Sequence, residues 1–250
     1  MAATASLLAG KRVLVTGAAR GLGRAFAEAA TTAGAKVAVA DVLEKEGKAT
    51  ATALGAEFQR IDLADPKSIE AAVTASAKAL GGLDGLVNCA AIATGIGGKA
   101  FDGIDIETWD KVMTVNVRGT WLVTRAAAPH LRKSGHGKIV NIASDTALWG
   151  APRLLHYVAS KGAVISMTRS LARELGPDNV AVNAVAPGLT IVEATEYVPE
   201  ERHRLYVEGR ALSRRQMPDD VVGAVMFLLS DAADFVTGQL LPVNGGFVMN

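Results

Sequence analysis

Cysteine is almost missing from this chain of 250 residues: Cys89 stands alone, so no disulfide can form within it. That usage fits a reducing compartment. Histidine is sparse too, at four residues. With one cysteine and no paired ligand spacing, no metal is expected in the chemistry. Aromatic residues make up only 5%, the formal net charge is +1, and no basic stripe interleaves with aromatics. Nucleic acid is therefore not expected as a partner. No apolar run approaches the ~20 residues that cross a bilayer. The stretch Met1 to Gly10 has no charged leading region and only a short apolar core, unlike a secretion signal. These absences predict a soluble, cytoplasmic protein with neither a membrane nor nucleic acid as partner.

What is abundant is small and apolar. Half of the residues are hydrophobic and 26 are glycine, a composition that suits buried parallel strands covered by alanine-rich helices. The length suits one large α/β domain, taken here as residues 1–250. Short apolar runs alternate with helical patterns along the whole chain. Strands are predicted at Arg12 to Thr16, Lys36 to Asp41, Glu57 to Ile61, Leu83 to Asn88, Ile139 to Ser144, Val180 to Val185 and Gly238 to Val243. Helices are predicted at Arg24 to Ala33, Glu44 to Leu54, Pro66 to Leu80, Glu107 to Arg132, Tyr157 to Leu175 and Val221 to Leu229. Strand–helix alternation implies right-handed crossovers and a doubly wound parallel sheet in three α/β/α layers. The mixed, charged segment 189–212 reads as a lid or substrate loop within that domain.

The first strand runs straight into Gly17-Ala18-Ala19-Arg20-Gly21-Leu22-Gly23 and then a helix. In that context glycines let the backbone approach a pyrophosphate, and the helix N-terminus offers free N–H groups. The alternative is a tight turn without a ligand. Asp41 ends the second strand, 24 positions after Gly17, near the spacing of a carboxylate that binds ribose hydroxyls. It would repel a 2′-phosphate, which favours NAD over NADP, although it could also cap the next helix. Arg20 opposes that choice, since it could pair with a 2′-phosphate. Ligands of such sheets lie beyond the C-terminal strand ends, which places Asp62, Leu63, Asn88 and Ala90 at the cofactor edge. Asn116 lies within an apolar helical stretch, where an amide needs hydrogen-bond partners. It is either part of a polar relay or a satisfied core residue.

Tyr157 and Lys161 are four residues apart and share a helix face. A phenol has an ordinary pKa of ~10, and a neighbouring ammonium would lower it toward working pH. Tyr157 is therefore a candidate proton donor, with Ser144 holding the substrate oxygen.

Taken together, these features resemble the short-chain dehydrogenase/reductase family along nearly the whole chain. The segment Thr16 to Gly23 matches its T-G-x-x-x-G-x-G. Asn88-Cys89-Ala90-Ala91 corresponds to its N-N-A-G, with Cys89 and Ala91 as departures. Asn116, Ser144, Tyr157 and Lys161 match its catalytic tetrad in order and spacing. Asn183, Pro187-Gly188 and Asn244-Gly245-Gly246 match later segments. The resemblance implies a seven-stranded Rossmann-like sheet and hydride transfer between a nicotinamide and an alcohol or carbonyl. It implies Tyr157 as acid/base and Lys161 as the group that lowers its pKa and holds the nicotinamide ribose. Ser144 would bind the substrate oxygen, and Asn116 would hold a relay water. Pro187 and Gly188 would flank the nicotinamide. Val192 stands where the family often has threonine, which leaves Thr190 or backbone groups for the carboxamide. A homotetramer is implied as well.

The reading that follows is an NAD-dependent oxidoreductase for a small secondary alcohol or ketone, aryl or cyclic. The alternatives are an NADPH-dependent 3-oxoacyl thioester reductase and a nucleotide-binding scaffold without turnover. Pocket candidates are Ile96, Thr146, Leu148, Trp149, Arg153, His156, Val192 and Tyr197. Trp149 and Leu148 suggest an apolar wall. Arg153 could meet a substrate carboxylate or stay solvated.

Overall fold

In the computed structural model, which describes residues 7–249, the strands are β1 (Arg12–Thr16), β2 (Lys36–Asp41), β3 (Glu57–Arg60), β4 (Gly85–Asn88), β5 (Lys138–Ile142), β6 (Ala181–Pro187) and β7 (Leu240–Val243). The reading of Met1 to Ser6 lies outside the described residues. All seven strands are parallel and form one sheet in the order β3-β2-β1-β4-β5-β6-β7. The strands differ from their expected bounds mainly at the ends. β4 begins two residues later than expected, and Ser144 lies two residues past β5.

The strands are apolar on both faces because both faces are covered. On β1, Val13 and Val15 point into one buried cluster with Val39, Val87, Val140 and Val185. Leu14, between them, joins the opposite cluster with Ala38, Leu86, Ile139 and Val182. This alternation is the two-residue period of a strand. Helices α1 (Gly21–Thr32), α2 (Glu44–Leu54) and α9 (Asp219–Leu229) cover the first face, with Phe26 and Val225 buried. Helices α3 (Pro66–Leu80), α5 (Thr120–Ser134) and α7 (Leu155–Leu175) cover the second, with Ile69, Leu131 and Leu175 buried. Helix α3 shows how locally its ends are set. Asp65 caps the Lys67 N–H at 2.9 Å, Pro66 opens the first turn, and Gly81 closes the helix in the left-handed region at φ +76°.

The expected single helix from Glu107 to Arg132 is not regular. It is α4 (Ile106–Met113), a π-helical turn (Thr114–Gly119) and α5. The turn carries Asn116, only 1% exposed. A wide turn of this kind shifts the helix register and is common at functional sites. Here it presents the Asn116 amide to the backbone of Ile92, which answers both its donor and its acceptor.

The order of strands reverses at β1: the chain winds outward to β3 on one side and through β4 to β7 on the other. The crevice at that reversal lies between the C-terminal ends of β1 and β4, where ligands of open α/β sheets bind. At the opposite end of the sheet, beside Gly137 just before β5, Leu131 is fully buried in the second cluster. Leu131→Ala should cost about 2–5 kcal/mol of stability, read as a fall in the denaturant midpoint with an unchanged slope.

Candidate active site

A cleft of about 1520 Å³ runs along the C-terminal strand ends. At one end, the chain leaves β1 through Gly17, whose φ is +70°. A Cβ there would lie 2.6 Å from the Ala90 Cα, and one on Gly23 would lie 2.1 Å from the Gly17 carbonyl oxygen. No larger residue fits at either place. Thr16 ties the loop to β4, its Oγ1 accepting from the N–H groups of Cys89 and Ala90 at 3.1 and 3.3 Å. Helix α1 starts at Gly21 with no side-chain cap and no acid in its first turn. Its leading N–H groups therefore remain available to an anion. Gly17, Arg20, Gly21, Leu22 and Gly23 all line the cleft.

Asp41 lines the same end. Its Oδ2 accepts from Ala19 N–H and its Oδ1 from Leu43 N–H, both at 2.9 Å. The carboxylate thus bridges β2 to the glycine loop rather than serving as the N-cap of α2, which is Leu43. Asp62, Leu63 and Ala90 also line the cleft. Asn88 does not. Its Nδ2 donates to Asn141 Oδ1 at 2.9 Å and Thr124 Oγ1 at 3.1 Å, and Asn141 Nδ2 donates to Thr168 Oγ1 at 2.9 Å. A buried polar ladder between sheet and helices holds its Nδ2, while its Oδ1 is buried without a partner among the described residues.

Ser144 and Tyr157 both line the cleft, near enough for the serine hydroxyl to pull the phenol pKa down. Ser144 Oγ accepts from Thr146 Oγ1 at 2.8 Å. Lys161 lies 5.6 Å from the Tyr157 ring centroid, measured at Nζ, and donates to the Ile142 carbonyl at 2.7 Å. Asn116 reaches this group indirectly. Its Nδ2 donates to Ser160 Oγ at 3.1 Å, and Ser160 donates to the Tyr157 carbonyl at 2.7 Å. Ser160 went unnoticed in the sequence because serine three residues after tyrosine carries no signal of its own.

The electrostatics differ from the expectation that Lys161 lowers the Tyr157 pKa. Burial raises the phenol above its ordinary value, and the Ser144 hydroxyl only partly opposes it. Burial also pulls Lys161 down to about 8. Burial disfavours both charged forms, and the ammonium sits on a carbonyl. Cys89 is pushed up to about 12, chiefly by burial, and is an inert thiol at neutral pH.

The far end of the cleft is built from segment 189–212, which contains a short turn (Glu193–Thr195) and α8 (Glu200–Gly209). Pro187, Gly188, Thr190 and Val192 line the cleft, as do Thr146, Arg153 and Tyr197. Thr190 Oγ1 donates to the Gly188 carbonyl at 3.0 Å. Ile96, Leu148, Trp149 and His156 are not among the lining residues. Trp149 is occupied elsewhere: its indole N–H donates to Tyr206 Oη at 3.3 Å, and it meets the Tyr206 and Phe247 rings edge-on. Tyr206 in turn donates to Asp145 Oδ1 at 2.9 Å, which docks α8 beside Ser144. Asp145 is fully buried and is pushed up to about 6, mainly by that burial. Neither Asp145 nor the Arg202/Tyr206 pair was singled out from sequence, although the four-residue spacing of that pair was a visible sign.

Among the described residues, no three His, Cys, Asp or Glu side chains converge as a metal would require. No described helix is long and apolar enough to cross a membrane.

Residues 17–248 match a family described as enoyl-(acyl carrier protein) reductase, within the short-chain dehydrogenases/reductases. An uncharacterized oxidoreductase of Mycobacterium tuberculosis is 40% identical over 96% of this chain and 98% of its own. A 3-oxoacyl-acyl-carrier-protein reductase of Thermotoga maritima is 39% identical over 57% of this chain, a match that spans 58% of that relative's length. A solved structure from Sinorhizobium meliloti, described as a short-chain alcohol dehydrogenase, superposes with a TM-score of 0.89 at 33% identity, covering 97% of this chain and 98% of that one.

The depressed Lys161 pKa has a signed consequence. Between pH 8 and 10.5 the unfolded chain holds a proton that the folded chain has released, so stability rises with pH across that window. Relative to Lys161→Met, the wild type should gain about 3 kcal/mol between those limits, measured by urea melts at pH 7 to 10.5. A flat difference would contradict the burial of the ammonium.

Proposed function

Because the chain belongs to the short-chain dehydrogenase/reductase family, we propose that it is an NAD-dependent dehydrogenase that interconverts a small secondary alcohol and its ketone. One observation carries this reading: a serine hydroxyl and a half-buried phenol line the same cleft, near enough for the serine to act on the phenol, with a lysine alongside.

The residues present fit a dinucleotide. The positions where a Cβ would collide, Gly17 and Gly23, lie next to the uncapped start of α1, as a pyrophosphate cradle requires. Each Asp41 oxygen is fixed by one backbone N–H and keeps a further lone pair for a ribose hydroxyl. When bound, the nicotinamide would supply the hydride chemistry. The chain's own part is then to hold the substrate and manage one proton. Ser144 Oγ donates to the substrate oxygen. Tyr157 Oη takes the proton from an alcohol or returns it to a ketone oxygen. Lys161 keeps a positive charge near the phenolate in the step where it forms, and also holds the nicotinamide ribose. Asn116 maintains the helix turn beneath Tyr157 and would order a relay water. Since burial disfavours the phenolate, oxidation should speed up toward alkaline pH.

A second reading has its own support. Arg20 is exposed on the glycine loop with no ion pair or hydrogen bond to its side chain among the described residues, and the Thermotoga relative is named as an acyl-carrier reductase. That reading is NADPH-dependent reduction of a 3-oxoacyl thioester. A titration of wild type and Asp41→Ala with NADH and NADPH, followed by nicotinamide fluorescence, separates the two. The dehydrogenase reading expects tighter NADH binding in the wild type, lost or switched toward NADPH in the variant. NADPH preference in the wild type would favour the reductase, and binding of neither would leave a scaffold.

Tyr157→Phe should lower kcat by about 10²–10⁴-fold while NADH still binds, as read by stopped-flow absorbance and the same fluorescence titration. A homotetramer is also proposed. Large apolar side chains lie exposed on α4, α5 and α7 (Ile106, Trp121, Leu155) and on α9, β7 and the segment between them (Phe227, Phe235, Leu241). A tetramer with two kinds of two-fold contact needs two surfaces to bury, and exposed apolar side chains on both sets of elements would supply them. Light scattering should give four times the chain mass, and a monomer at micromolar concentration would refute it.

A further inference from the structure

Arg202 differs from the other charged groups around the cleft. It lines the cleft on α8, yet its side chain makes no hydrogen bond or ion pair with any described residue. One terminal nitrogen, Nη2, is sealed from solvent without an acceptor. A buried donor left unbonded is unfavourable. Its plane is held in place by the Trp149 ring, 5.4 Å from the guanidinium carbon. Trp149 is fixed in turn by its hydrogen bond to Tyr206 and its edge contact with Phe247.

The neighbouring acids do not fill the gap. Asp145, a buried carboxylate, accepts from Tyr206 at Oδ1 and feels the charges of both Arg210 and Arg202; its Oδ2 is buried without a partner, and no hydrogen bond joins it to Arg202. Glu201 and Glu208 line the cleft as exposed groups and form no ion pair with Arg202. Arg153, the arginine first suspected of meeting a carboxylate, is exposed and left-handed at φ +57°, so water can satisfy it.

We propose that Arg202 anchors an anionic group of the substrate, a carboxylate, at the α8 end of the cleft while the carbinol or ketone carbon sits at Ser144 and Tyr157. A guanidinium is a strong charge-assisted donor to a carboxylate. Here the guanidinium is already partly desolvated and pressed on an indole, so less freedom is lost on binding. This inference rests on the dehydrogenase reading for the position of the reacting carbon. It narrows that reading to hydroxy or oxo acids.

Calorimetry tests it on the purified full chain, with and without NADH, using benzoate, hexanoate, phenyl phosphate and uncharged benzamide as probes. Wild type, Arg202→Leu, Arg202→Lys and Arg153→Leu are compared, each checked for an unchanged melt. The expected result is that at least one carboxylate binds the wild type ten-fold or more tighter than benzamide. That preference should vanish in Arg202→Leu, return in part in Arg202→Lys, and survive in Arg153→Leu. Equal binding in wild type and Arg202→Leu, loss in Arg153→Leu alone, or no carboxylate binding at all would overturn the proposal. Phenyl phosphate bound in place of the carboxylates would overturn the assignment to a carboxylate. Arg202-dependent carboxylate binding without any NADH binding would sink the dehydrogenase reading and leave the anchor standing. NADH binding with no effect of Arg202 would do the reverse.

Discussion

The site depends on how closely two backbones approach. The end of β1 and the start of the loop after β4 come together so tightly that Gly17 has no room for one more carbon against Ala90. Thr16 holds them there with one hydroxyl that serves Cys89, Ala90 and the Val87 carbonyl. That contact sets the floor of the crevice, and the crevice exists because the strand order reverses at this point. Everything else is hung from it. Asp41 is tied to the glycine loop, Ile92 to Asn116, and Asn116 through Ser160 to the helix of Tyr157. The two ends of the cleft are joined by short, direct links between strand termini.

The chemistry sits in a drier place than a list of side chains suggests. Tyr157 and Lys161 are both penalised by burial. In a low-dielectric site each charge needs a partner, and charge on one of the pair is most readily carried when the other is also charged. The four-residue spacing put the right groups together. Burial then decided their starting protonation, and spacing says nothing of burial.

Much of the architecture was readable beforehand because it follows from local rules. Buried strands are apolar without interruption, and α2, α3 and the end of α7 were bounded by their glycines and prolines. The glycine loop and Asp41 were readable because strand, turn and helix adjoin in sequence. The departures have a common cause in tertiary contacts. The π-turn at Asn116 answers the backbone of Ile92, 24 residues away. The Asn88 Nδ2 is held by Asn141 and Thr124, partners 53 and 36 residues away. Trp149 was drawn off by Tyr206 and Phe247, far along the chain. Arg202 and Asp145 became conspicuous only when α8 was seen docked beside Ser144.

The buried ladder of Asn88, Asn141, Thr124 and Thr168 has a consequence for assembly of the sheet. Asn88 and Asn141 are direct neighbours across β4 and β5. The apolar residues around them are nearly interchangeable, so hydrophobic matching alone would tolerate a slide of one strand along the other. A slide by two residues keeps every side chain on its own face but sets Asn88 against Ile139 or Ala143 and strands both amides in a dry core. The pair therefore acts as a key cut for a single alignment. Only that alignment brings Ser144, at the end of one strand, level with the glycine loop at the end of another.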